Sequence, residues 1–183
     1  LFTEGHIGDV EVVLAKCGIG KVCAAVGTME MIQRYAPDII VNTGVAGGID
    51  PLTQVMDIVV GENMVYHDVW CGDGNEYGQV QGLPARFVSE ELCKLALSVA
   101  HDGNVYGGMI CSGDKFITDK EELTEIKKRF PEGMAVDMES CAIAQVCYMC
   151  GVPFLSYRII SDTPGVKDHY KQYLNFWEEA PKR

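Results

Sequence analysis

The stretch "DIIVNTG" (38–44) constrains the fold more than any other part of this sequence, because it is apolar over most of its length. A strand of that kind is buried on both faces, as strands of parallel sheets are, and parallel neighbours need long crossover connections. The chain supplies such connections. "VEVVLAK" (10–16) is rich in β-branched residues, and residues 18–35 follow with Ile19, Val22, Ala25, Val26, Met29 and Ile32 at helical spacing. Further strands are predicted over 57–68, 105–114, 133–140 and 153–162, with helices over 89–101, 119–129, 141–150 and 167–180. Ser89 takes the N-cap position of the helix over 89–101, and Gly151 ends the helix over 141–150. The first residues, "LFTEGHIGDVEVVLAK", read as strand, turn and strand. No repeat or low-complexity linker interrupts the alternation, so residues 1–183 read as one α/β domain around a mostly parallel or mixed sheet.

Charge and composition narrow the partners. A formal net charge of −11 opposes sequence-independent nucleic-acid binding, which depends on Lys and Arg neutralising phosphates. Lys127, Lys128 and Arg129 form the only basic cluster, and no apolar run approaches the ~20 residues that span a bilayer. A small molecule is the expected partner, with neither nucleic acid nor membrane. The eight cysteines lack the regular spacing of a disulfide scaffold. Cys147 and Cys150 spell C-x-x-C late in a helical pattern, without a second pair or a nearby His to complete a zinc set. Buried or semi-buried thiols in a reducing cytoplasm are expected, with no metal and no cofactor.

In open α/β sheets ligands bind at the carboxyl ends of strands, here just after 43, 112, 137 and 160. "VNTGVAGGID" (41–50) reads as a strand breaking into a glycine loop at Gly44, Gly47 and Gly48. It is not a P-loop, since no Lys follows Gly47 or Gly48, and its spacing is wrong for a dinucleotide fingerprint. A turn that uses glycine only to reverse direction is the simpler alternative. The other strand ends carry acids. "VDMES" offers Asp137 and Glu139, which strand alternation would place on one side with Met138 on the other, and "RIISD" offers Arg158, Ser161 and Asp162. A lone carboxylate at a strand end is usually a helix cap. Two such ends, one containing an Arg, suit a general acid paired with a carboxylate that binds sugar hydroxyls.

These residues belong to a larger set: "CGIGKV" (17–22), "NTGVAGG" (42–48), "VYHD" (65–68), "EYGQ" (76–79), "SGDKFI" (112–117), "AVDMES" (135–140), "AIAQV" (142–146) and "VPFLSYRIISD" (152–162). Together, in order and over nearly the whole chain, they resemble the nucleoside phosphorylase/nucleosidase superfamily, most of all its 5′-methylthioadenosine/S-adenosylhomocysteine nucleosidase branch. The resemblance implies a three-layer α/β/α sandwich around a twisted mixed β-sheet, a homodimer, and hydrolysis of the N-glycosidic bond of an adenine 5′-thionucleoside. It implies Asp162 as the acid at the purine N7, oriented by Ser161, and Glu139 on two ribose hydroxyls with Met138 against the sugar. Phe116 would stack on the base, the Ile117 backbone would pair with the purine edge, and Arg158 would stand near Glu139 and the attacking water. Backbone at Val45, Ala46 and Gly47 would approach the ribose and the water. His67 and Asp68 are expected to be structural or at the dimer interface.

The sequence departs from the family in three places. Family members begin with a strand, a glycine turn and a Glu that activates the water; residues 1–9 carry no counterpart, and Glu4 is not in that context. The domain therefore reads as lacking its first strand and part of its last helix. Val45 stands where a Ser or Thr is usual, which disfavours phosphate as the attacking group. The loop over 69–79 offers Asp73 and Asn75 beside Trp70 and Tyr77, so a more polar 5′ substituent is expected.

Overall fold

The computed structural model describes residues 2–99 and 103–179. Strands β1 (Phe2–Ile7) and β2 (Val10–Ala15) form an antiparallel hairpin, hydrogen-bonded to each other and to no other strand. Then come α1 (Lys21–Tyr35), β3 (Ile40–Gly48), β4 (Ile58–Tyr66), β5 (Phe87–Val88), α2 (Glu90–Ser98) and β6 (Val105–Ser112). The chain continues through α3 (Lys120–Arg129), β7 (Gly133–Asp137), α4 (Ser140–Cys150), β8 (Phe154–Asp162) and α5 (His169–Glu179). Ala100 and His101 of the predicted second helix, and Ala180 of the last, lie outside the described residues.

The main sheet has the order β5-β4-β6-β7-β3-β8, and β8 also pairs with β4. The strands β4, β6, β7, β3 and β8 thus form a closed circuit, with parallel β3–β8, β4–β6 and β6–β7 pairs and antiparallel β3–β7 and β4–β8 pairs. It is a mixed sheet between helices, an α/β sandwich as expected. Alternation along the strands sorts side chains into two cores. Met64, Tyr66, Ile110 and Ala135 face a cluster with Ala24 of α1 and Ala142 to Ala144 of α4. Val65, Met109, Cys111 and Val136 face the other way, against Ile126 of α3 and Phe130.

Several boundaries move. β3 does not break into a loop at Gly44; it continues through Gly48, with a register shift between Ala46 and Gly47. Neighbouring side chains explain the glycines there, because a Cβ at Gly44 would collide with Arg158 Nη1 and one at Gly48 would lie 2.6 Å from Thr53 Oγ1. Ser89 occupies the N-cap position of α2, but its hydroxyl donates to Phe154 O at 2.5 Å instead of capping the helix. Gly151 is the left-handed cap of α4, as predicted. The cysteines are free; Cys93, Cys111, Cys141 and Cys147 are buried, whereas Cys23, Cys71 and Cys150 are exposed. Cys17 is half-buried, so the expectation of buried or semi-buried thiols fits five of the eight.

Candidate active site

Two neighbouring clusters form where β3, β6, β7 and β8 end. The first surrounds Asp162, the last residue of β8, which is 2% exposed. The Ser161 hydroxyl donates to Asp162 Oδ1 at 2.7 Å and lies 3.3 Å from Ala46 O, so the pair is braced against β3. A cavity of about 30 Å³ is lined by Asp162 together with Gly47, Phe116, Ile117, Met138 and Pro164. Phe116 is partly exposed and meets Tyr173 of α5 edge-on, with ring centroids 5.5 Å apart. Ile117 is buried. Gly47 is needed because Pro164 packs onto it: a Cβ there would lie 2.7 Å from Pro164 Cγ.

The second cluster centres on Arg158, 4% exposed, in mid-β8 beside Gly44. Its Nη2 lies 2.7 Å from Asp137 Oδ2 and 3.4 Å from Glu139 Oε2, while Nε donates to Ser140 Oγ at 3.2 Å. The Ser140 hydroxyl also bonds Asp137 and Ser156, and it accepts from Asn42 Nδ2. Glu139 is the N-cap residue of α4, yet its carboxylate caps α1 instead: the Gly20 N–H donates to Glu139 Oε1 at 3.0 Å. Burial and the charge of Asp137 push the Glu139 carboxyl above the ordinary range, and the Gly20 N–H and Arg158 pull against that rise.

Asp137 and Glu139 do not alternate along a strand, as was expected. β7 ends at Asp137, and the chain turns through Met138 into α4. What the two carboxylates share is Arg158. Of the ten residues predicted for the site, Asp162, Phe116, Ile117, Met138 and Gly47 line one cavity, and Arg158 and Glu139 form the ion pair nearby. Ser161 and Ala46 support Asp162 from behind. Val45 lines none of this; it pairs with Ile159, and alternation turns its side chain away from the face shared by Gly44 and Arg158. Gly20, Ser140 and Pro164 escaped the sequence reading, although "CGIGKV" and "AVDMES" contain the first two, and Gly44 was read only as a loop glycine. His67 is buried, and Asp68 accepts from Lys21 Nζ at 2.9 Å and from the Asp114 N–H at 2.9 Å. A larger apolar groove of about 510 Å³, between β5, α2 and the end of α4, contains none of the predicted residues.

A buried carboxylate with an attendant hydroxyl, an aromatic ring at its cavity, and a carboxylate–guanidinium pair nearby suit a site for a base joined to a sugar. The phosphorylase superfamily matches residues 1–183, and the chain belongs to it. It is 44% identical to the 5′-methylthioadenosine/S-adenosylhomocysteine nucleosidase of Bacillus pumilus, over 98% of this chain and 79% of that one. Its structure matches that of the Neisseria meningitidis nucleosidase in complex with methylthio-immucillin-A, with a TM-score of 0.92, 39% identity, and coverage of 99% and 80% of the two chains. A Borrelia burgdorferi protein described as a nucleosidase of this kind, bound to adenine, also matches with a TM-score of 0.92. Its identity is 35%, and 96% of this chain and 77% of that one are covered.

Proposed function

We infer that this chain hydrolyses the N-glycosidic bond of adenine 5′-thionucleosides, methylthioadenosine and S-adenosylhomocysteine, releasing adenine and a ribose derivative. One observation carries the reading: a chain 44% identical to a nucleosidase places the bonded Ser161–Asp162 pair at one cavity with Phe116, Ile117 and Met138.

Cleavage leaves oxocarbenium character on the ribose and negative charge on the purine. Asp162 is the acid that neutralises that charge at N7. Ser161 donates to Oδ1 and so orients the carboxyl that supplies the proton. The same carboxyl accepts from the exocyclic amine, and this selects adenine over a 6-oxopurine. Phe116 stacks on the base, and the Ile117 backbone pairs with its edge. Glu139 accepts the ribose hydroxyls with Met138 against the sugar, and Arg158 serves the ribose side and the attacking water. The backbone of Val45, Ala46 and Gly47 runs beside the sugar. A 30 Å³ cavity is far below the ~300–1,000 Å³ of ligand pockets, so binding requires the turn carrying Pro164 to shift off Gly47.

Phosphorolysis is the disfavoured alternative, since relatives 44% and 43% identical are nucleosidases; the Val45 side chain, turned away from the site, does not bear on it. We further propose a cytoplasmic homodimer acting in methionine salvage. Support for the dimer is the exposed Trp70, stacked on Tyr77 at 6.0 Å in the 69–79 loop. Sedimentation velocity tests it. The reaction is tested by following adenine release from methylthioadenosine with and without phosphate. Phosphate-independent release, abolished in Asp162→Asn, is expected; a full rate in that variant would overturn the assignment.

A further inference from the structure

Asp137 is heavily engaged by hydrogen bonds and an ion pair, and the reaction as assigned gives it nothing to do. It is buried, and its two oxygens have four partners. Oδ1 accepts from Ser112 Oγ at 2.5 Å, the Ser140 N–H is shared between Oδ1 at 3.3 Å and Oδ2 at 3.2 Å, and Oδ2 also accepts from the Ser140 hydroxyl and from Arg158 Nη2 at 2.7 Å. These partners all belong to the protein, although Asp137 also lines the cavity at Asp162. The guanidinium, however, is shared, and shared unequally: Glu139 Oε2 lies 3.4 Å from the same Nη2.

We propose that Asp137 is a positioning residue for Glu139 that acts through Arg158: by holding the guanidinium to itself, it keeps Glu139 a loose partner whose carboxylate is free for sugar hydroxyls. An Arg facing Glu139 alone would close into a short, two-pronged pair, the geometry guanidinium and carboxylate favour, and consume the oxygens the sugar needs. Three features hold the arrangement in place. Ser140 fixes Nε from one side, Gly44 leaves room for Nη1 on the other, and the Gly20 N–H holds the far oxygen of Glu139. Asp137 also acts on Glu139 directly, because its negative charge raises that carboxyl. The groups facing Glu139 are Asp137 from β7, Arg158 from β8, the N–H of Gly20 at the start of α1, and the Cys17 thiol just before it. Of these, Asp137 alone can both release Arg158 and remove a negative charge.

The activity readout rests on the nucleosidase reading; a second readout does not. In Asp137→Asn, Arg158 turns to Glu139. The KM for methylthioadenosine should then rise about tenfold, as expected for a weakened charge-assisted hydrogen bond, with kcat changed less than about threefold. The acid limb of kcat/KM should move to lower pH. Independently, a carbon-13 NMR titration of the Glu carboxyls, assigned with Glu139→Gln, should show Glu139 ionising at lower pH in Asp137→Asn than in wild type. If Asp137→Asn does not fold, Ser112→Ala, which removes one tether of the Asp137 carboxylate, should move both readouts the same way by a smaller amount. An unchanged Glu139 titration, or kcat and KM losses that follow only a lowered melting temperature, would overturn the proposal. If wild type releases no adenine, the nucleosidase reading fails while the titration still decides the role of Asp137.

Discussion

Gly20 and Glu139, 119 positions apart in the sequence, are joined by one hydrogen bond from the Gly20 N–H to Glu139 Oε1. The residue assigned to the ribose therefore depends on a backbone conformation at the start of α1. Gly20 has φ 89° and ψ 167°, a region essentially closed to residues with a Cβ.

Gly20→Ala should cost about 1–3 kcal/mol of stability from strain alone. Its Cβ would also lie 2.9 Å from Asp114 Oδ1, pushing the N–H off Glu139 and raising KM. Gly72→Ala is the control, with φ 86° and nothing near the added Cβ. It should lose comparable stability and leave KM alone. Urea unfolding and steady-state kinetics on both variants separate the two effects.

The raised Glu139 carboxyl sets signs for binding and for stability. The ionised form accepts hydroxyls, so nucleoside affinity should fall as pH drops through a midpoint above the ordinary 4.5. For stability the direction reverses. A group raised on folding contributes fully below its unfolded value and loses that contribution as pH rises through the folded value. Glu139→Gln should therefore melt higher than wild type at pH 7 while binding substrate about ten- to a hundredfold more weakly. Calorimetry of melting and of ligand binding checks both.

Gly44→Ala should preserve the fold and damage the site. The new methyl group would displace the Arg158 guanidinium, and overpacking of this kind costs about 1–3 kcal/mol. A loss of activity much larger than the loss of folded protein at the assay temperature is the expected result, measured by adenine release alongside circular dichroism.

His67 makes the protein sensitive to acid. Burial lowers its pKa from 6.5, overriding the opposing charges of Asp68 and Asp137, and its Nε2 has no hydrogen-bond partner. The folded state thus prefers the neutral ring. Stability should be steady above pH 6.5 and fall as pH drops from there toward the lowered folded value. Denaturant midpoints at pH 7.5 and 5.5 should separate in wild type and draw closer in His67→Leu.

The alternation of elements was legible because each strand carries an apolar run and each helix a 3.6-residue period. The two-residue β5 was not, since Phe87–Val88 has no period to detect. The glycine segment was misread for a physical reason. Glycine disfavours strands on average, but β3 needs it at Gly44 for a contact with Arg158, which is distant in sequence, and at Gly48 for one with Thr53 in the turn that follows. The acids were found at the strand ends and their roles through motif resemblance, which also put Ser161 with Asp162 and Arg158 near Glu139; the bonds from Gly20 and to Asp137 were not found. Nothing local to Gly20 reveals a bond to Glu139, and nothing local to Asp137 reveals that it takes the nearer side of Arg158.

The closed circuit of β4, β6, β7, β3 and β8 behaves mechanically as a hoop. A strand in an open sheet can slide or splay by disturbing one neighbour, whereas each strand here is clamped on two sides and the strain returns to its origin. Compliance must then lie outside the ring, in the turn carrying Pro164, the 69–85 loop and the start of α1. A change of preferred sugar substituent should accordingly be reached by altering those segments, with the rigid frame beneath them left untouched.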